Sequence, residues 1–127
     1  MNEKLVIAKY LFKQNKYQET IDTCNQILTT DATSIEALKL IAKSFLAKNQ
    51  LEKARLYFDQ ALTIKPNDCS LLINIGNIYR AVGDFNTAKN YYKKALLINN
   101  NYAPALTMLG SIEINSVNKQ QALSLLI

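Results

Sequence analysis

The sequence predicts an all-α solenoid, a row of antiparallel helix pairs stacked at a fixed interval. Small residues recur at Ala8, Ala42, Gly76 and Gly110, each 34 residues after the last. Two further columns, Thr20, Ala54, Ala88, Ala122 and Ile27, Ala61, Ala95, keep the same interval. Within each interval the apolar residues follow i, i+3, i+4, i+7 spacing, the mark of a helix with one buried stripe. A repeat of this length covers its apolar face only by stacking on a neighbour, and such chains present surfaces rather than chemistry.

The repeats run 1–34, 35–68, 69–102 and 103–127, the last incomplete, within a single domain. The first helix of each carries Leu38, Ile41, Ala42, Phe45, then Leu72, Ile75, Gly76, Tyr79, then Leu106, Leu109, Gly110. The second helix carries Leu51, Ala54, Phe58, Ala61, Leu62, then Phe85, Ala88, Tyr92, Ala95, Leu96. Turn-formers divide the helices of a pair at Asn15-Lys16, Lys48-Asn49-Gln50, Gly83-Asp84 and Val117-Asn118. Others divide the pairs: Asp31 to Ser34, Lys65 to Asp68 and Asn99 to Asn101. Pro66 stops one helix and Asp68 caps the next. Gly76 and Gly110 sit in mid-helix, where glycine costs about 1 kcal/mol against alanine. That cost predicts close approach of a second helix, with Ala54, Ala88 and Ala122 as the facing wall.

Composition narrows the function. The chain is 49% hydrophobic and 20% charged, which is globular. No apolar run is long enough to span a bilayer. Leu5 to Ala8 is too short for the core of a secretory signal. The net charge of +5 is concentrated in the middle repeats, where it would steer acidic partners. His is absent, and Cys24 and Cys69 have no metal-ligand spacing, so they read as small apolar residues. Two unpaired cysteines lean towards a reducing compartment and a cytoplasmic location, with the periplasm or a larger membrane-associated protein as the alternatives. No catalytic residue, metal, cofactor or small-molecule substrate is expected; all three glycines belong to the repeat.

These residues resemble the tetratricopeptide repeat family. The third repeat is the best match, with Leu72, Ile75-Gly76, Tyr79, Gly83-Asp84-Phe85, Ala88, Tyr92 and Ala95. The second matches through Ala42, Phe45, Leu51, Ala54, Phe58, Ala61 and Pro66. The first departs at Lys4, Thr20, Cys24 and Ile27, and the fourth has Glu113 where the family has Tyr. The resemblance implies a right-handed superhelix whose first helices line a concave groove that holds a peptide. The groove residues it implies are Lys9, Phe12, Lys13, Lys39, Lys43, Leu46, Ile73, Asn74, Asn77 and Arg80. Five bases there, Lys9, Lys13, Lys39, Lys43 and Arg80, face one acid, Glu36. Apolar residues, Leu5, Phe12, Leu46, Ile73 and Ile114, share the side. This lining suits a partner with both acidic and apolar side chains.

The carboxylate clamp of chaperone-binding members does not map onto the chain. Started at the first repeat its places hold Leu5, Lys9, Leu40, Ser70 and Asn74; started at the second, Lys39, Lys43, Asn74, Pro104 and Met108. Both final bases are missing. The expected function is a protein-interaction scaffold. The alternatives are self-association through the apolar end Leu125-Leu126-Ile127, giving a homo-oligomer, and RNA binding. One Arg and one aromatic in the groove make a poor platform for bases, so nucleic acid is disfavoured.

Overall fold

The computed structural model describes residues 2–125, apart from the side chain of Ala122. It is all-α, with no strand among the described residues. The helices are α1 (Glu3–Lys13), α2 (Tyr17–Thr30), α3 (Ile35–Ala47), α4 (Leu51–Ile64), α5 (Cys69–Ala81), α6 (Phe85–Ile98) and α7 (Ala103–Leu125). They fall into two compact units, Met1–Pro66 and Asn67–Ile127.

In the first unit, α1 begins because the Asn2 side chain accepts the N–H groups of Lys4 (3.0 Å) and Leu5 (3.3 Å). Ser34 Oγ starts α3 by accepting the Ala37 N–H at 3.3 Å. Each cap satisfies a backbone donor that the helix leaves unpaired. The pairs reverse direction at Asn15 (φ 62°) and Asn49 (φ 59°), in the left-handed region. The Lys16 N–H then reaches Leu11 O at 3.0 Å, and the Gln50 N–H reaches Phe45 O at 2.8 Å. This closure ends a helix and turns the chain at once. Pairs α1–α2, α3–α4 and the neighbours α2–α3 pack together. Their core holds Ala8, Ile21, Cys24, Ile27, Ala37 and Ile41, flanked by Leu5, Leu28, Leu40, Phe45 and Tyr57. Thr20 is buried in a column that is otherwise Ala, and its hydroxyl donates to Lys16 O at 2.7 Å. A buried polar group so paired carries little penalty.

The second unit repeats the design. Asp68 caps α5 through the N–H groups of Ser70 (2.9 Å) and Leu71 (3.2 Å), as the sequence predicts. Gly83 (φ 88°) makes the turn, with the Asp84 N–H on Tyr79 O at 2.9 Å. Gly76 is needed for the close approach predicted there, but what lies nearest is the Tyr92 ring and not the expected Ala88: a Cβ on Gly76 would lie 2.6 Å from Tyr92 Cε1. The Tyr92 ring is fully buried, and its hydroxyl donates to Asn77 Oδ1 at 2.7 Å.

The fourth repeat departs from expectation. No turn forms at Val117-Asn118; α7 is one continuous helix from Ala103 to Leu125. The reason lies in one column. The residue that takes the left-handed conformation is Asn15, Asn49 and Gly83, and the same place 34 residues on is Val117. A β-branched side chain is a genuine outlier at positive φ, so the helix runs on. No described residue then folds back onto α7. Leu106, expected in a buried stripe, is 50% exposed, and a Cβ on Gly110 meets nothing within 4 Å. The close contact predicted at Gly110 is therefore absent among the described residues. Its expected wall residue, the Ala122 side chain, lies outside the described residues, as do Leu126 and Ile127 of the apolar end.

Candidate functional site

In the first unit, α1 and α3 touch and bring six of the predicted residues to one unit. Lys9 Nζ lies 3.6 Å from Glu36 Oε2, bridging α1 to α3 with both side chains more than half exposed. Lys13 and Lys43 are exposed and have no ion pair or hydrogen bond among the described residues. Lys39 is half-buried. Phe12 and Leu46 are half-buried, and the Phe12 ring packs edge-on against Tyr17 at 5.6 Å between centroids. Two apolar side chains seated in the surface, among cations, give a region that can desolvate an apolar group and hold a carboxylate beside it.

The second unit places its four residues unevenly. Ile73 is only 7% exposed and belongs to the core, so it offers at most an edge. Asn74 is half-buried. Asn77 already accepts the Tyr92 hydroxyl, which fixes its oxygen and leaves its amide N–H groups to donate. Arg80 reaches across to α7: Nη2 donates to Ser111 Oγ at 2.9 Å, and Nη1 lies 3.6 Å from Met108 Sδ. The guanidinium is thereby held in place. Asn77 and Arg80 line a cleft of about 460 Å³ with Ala81, Phe85, Met108 and Asn115. A second cleft of about 390 Å³ lies along α6 and α7 and is lined by Phe85, Asn86, Lys89, Ile112, Asn115, Ser116 and Lys119.

Met108 and Asn115 line the first of these clefts and are not among the residues that the sequence points to. Phe85 was read only as part of a buried stripe, yet it is about half exposed. Its place at the start of the second helix, shared with Tyr17 and Leu51, was the available signal.

Neither thiol is built for chemistry. Burial pushes Cys24 up from 9.0 to about 11. Cys69 Sγ lies 3.5 Å from Ala95 O. No cluster of three His, Cys, Asp or Glu suited to a metal ion occurs among the described residues, and no helix there is long and apolar enough to cross a membrane.

Helix pairs of this length, closed by the same turn and set by small residues, define a tetratricopeptide solenoid, a protein-interaction fold that is generally non-enzymatic. The chain belongs to the tetratricopeptide repeat family: models of that repeat match residues 11–74 and 70–102. No curated protein matches it. Among solved structures it is similar to the first repeat domain of Spaghetti (RPAP3) bound to an HSP90 peptide, SRMEEVD. That match has 19% identity and a TM-score of 0.79, over 92% of this chain and 96% of that one. The second such domain of human RPAP3, in complex with an HSP70 peptide, SGPTIEEVD, is similar at 21% identity and a TM-score of 0.78, over 87% and 92%. MamA is similar at 16% identity and a TM-score of 0.81, over 95% and 71%.

Proposed function

We propose that this chain binds a partner segment bearing acidic and apolar side chains on the face formed by its first helices, with Lys9, Phe12, Lys13, Lys39, Lys43 and Leu46 as the main contacts. Within the second unit, taken by itself, Asn74, Asn77 and Arg80, with an edge of Ile73, offer a separate set of polar contacts. The observation that carries this reading is the surplus of cations on α1 and α3 beside two half-buried apolar side chains, with Lys13 and Lys43 lacking an ion pair among the described residues. The Lys9–Glu36 pair is exposed and worth only about 0–1 kcal/mol, so a partner carboxylate can displace it. The peptides held by the two RPAP3 domains are themselves acidic with Met, Ile and Val, which agrees in chemistry. Without the two final bases of the clamp, the chain reads side-chain carboxylates along the segment more than a terminal carboxylate.

The test is fluorescence anisotropy with an acidic, apolar-anchored peptide. Lys39→Glu with Lys43→Glu removes two attractions and adds two repulsions, so affinity falls about 10- to 100-fold while helix content stays constant. Raising salt weakens the native binding, because exposed pairs are screened within about 8 Å at physiological ionic strength. Unchanged affinity in the double variant refutes the assignment.

A further inference from the structure

The repeat shows twice what fits against the first helix of a pair. On α3 the seat is Leu38, Ala42 and Phe45, and α4 packs on it; on α5 it is Leu72, Gly76 and Tyr79, and α6 packs on it. The two fillers share one pattern: Ala54-x-x-Tyr57-Phe58-x-x-Ala61 and Ala88-x-x-Tyr91-Tyr92-x-x-Ala95. Both alanines and the second ring of each pattern are fully buried. The first ring stacks on the aromatic of the seat, Phe45 on Tyr57 and Tyr79 on Tyr91, each at 5.7 Å. The third seat is on α7, at Leu106, Gly110 and Glu113, and it is open. Leu106 is half exposed, Glu113 is exposed, and Gly110 has free space where Gly76 meets the Tyr92 ring.

We propose that this face of α7 is a second docking surface, for an amphipathic helix of a partner protein with the pattern small-x-x-basic-aromatic-x-x-small. The aromatic ring lies over Gly110, as the Tyr92 ring lies over Gly76, where a Cβ would come within 2.6 Å of it. The small residues let the backbones approach, as Ala88 and Ala95 do on α6. The basic residue follows from charge: Glu113 stands where Phe45 and Tyr79 stack, so a cation replaces the first ring of the filler. A second copy of the chain does not meet this description, because both of its own patterns are already buried and put a ring, not a cation, against the carboxylate. The chain's own next turns do not meet it either. Val117 disfavours the reversal by about 1–2 kcal/mol, and Leu125, at the place of Tyr57 and Tyr91, is apolar and 87% exposed.

The probe is a labelled peptide with the sequence of residues 85–98 in which Tyr91 is replaced by Arg, titrated against the full chain by fluorescence anisotropy. It should bind about tenfold more tightly than the same peptide with Glu in that place. Glu113→Lys should invert that preference, and Gly110→Leu should abolish binding of both. A Cβ at Gly110 meets no atom within 4 Å in the free chain, so a thermal midpoint no lower than the native one certifies the fold of Gly110→Leu. Lys39→Glu with Lys43→Glu should leave this binding intact, which separates it from the function proposed above. Three results would overturn the proposal. One is no binding, or binding indifferent to Gly110→Leu. Another is a chain that dimerises in solution and loses this with Gly110→Leu. The last is disulfide formation within one chain between cysteines placed at Gly110 and Leu125.

Discussion

Gly76 and Gly110 occupy the same place in successive repeats, and the structure predicts that alanine has opposite effects at the two. In mid-helix, alanine is favoured over glycine by about 1 kcal/mol. At Gly110 nothing opposes this gain, because the added Cβ has no neighbour within 4 Å. Gly110→Ala should therefore stabilise the second unit by about 0.5–1 kcal/mol. At Gly76 the new Cβ would lie 2.6, 3.0 and 3.2 Å from Cε1, Cδ1 and Cζ of Tyr92. That ring is fully buried, and its hydroxyl is tied to Asn77 at 2.7 Å, so it cannot swing away without giving up the bond. Overpacking of this kind costs about 1–3 kcal/mol, which outweighs the helix gain. Gly76→Ala should be destabilising by about 1 kcal/mol net, and the two variants should differ by about 2 kcal/mol. Urea unfolding followed by circular dichroism reads this directly from the midpoints. Equal destabilisation at both positions would refute the reasoning, because it requires a helix packed against Gly110.

Other consequences follow from the same contacts. Val117→Gly relieves the positive-φ penalty, about 1–2 kcal/mol for a residue with a Cβ, and also weakens the helix there. Spin labels at residues 110 and 125 should then report a shorter distance than in the native chain. Tyr92→Phe deletes the hydroxyl that Asn77 accepts and should cost about 1 kcal/mol, read as a lower urea midpoint. Alkaline stability should depend on Cys24. Its folded value of about 11 exceeds the ordinary 9.0, so the native state holds its proton longer than the unfolded chain. That contribution is complete below pH 9 and is lost as pH rises towards 11. Cys24→Ala should flatten this part of the urea-midpoint profile, leaving the loss that sets in above pH 10 from Tyr92, which burial also raises. A thiol reagent at neutral pH should label Cys69 well before Cys24.

What was legible in the sequence was local or periodic. The stripes of the second and third repeats apart from Phe85, the Asp68 cap and the turns at Asn15, Asn49 and Gly83 each depend on a few neighbouring residues, and each formed as read. Val117-Asn118 was misread because Asn118 is a turn-former, whereas the backbone demand falls on the residue before it. Aligning that single column would have exposed the error. The site was less legible for a different reason. Arg80 reads as a free cation on its own helix, but its partners are 28 and 31 residues away on α7. Ile73 shares a helical arc with half-buried polar residues, and tertiary packing alone decides that it is buried. Periodicity places a side chain on a face without saying how much of that face stays open.

The most direct test of the central claim is a residue-resolved NMR titration of the chain with an acidic, apolar-anchored peptide. The account predicts saturable shifts concentrated on the amides and side chains of α1 and α3 around Lys9, Phe12, Lys39, Lys43 and Leu46. Shifts confined to α2 and α4, or no shifts up to millimolar peptide, would contradict it.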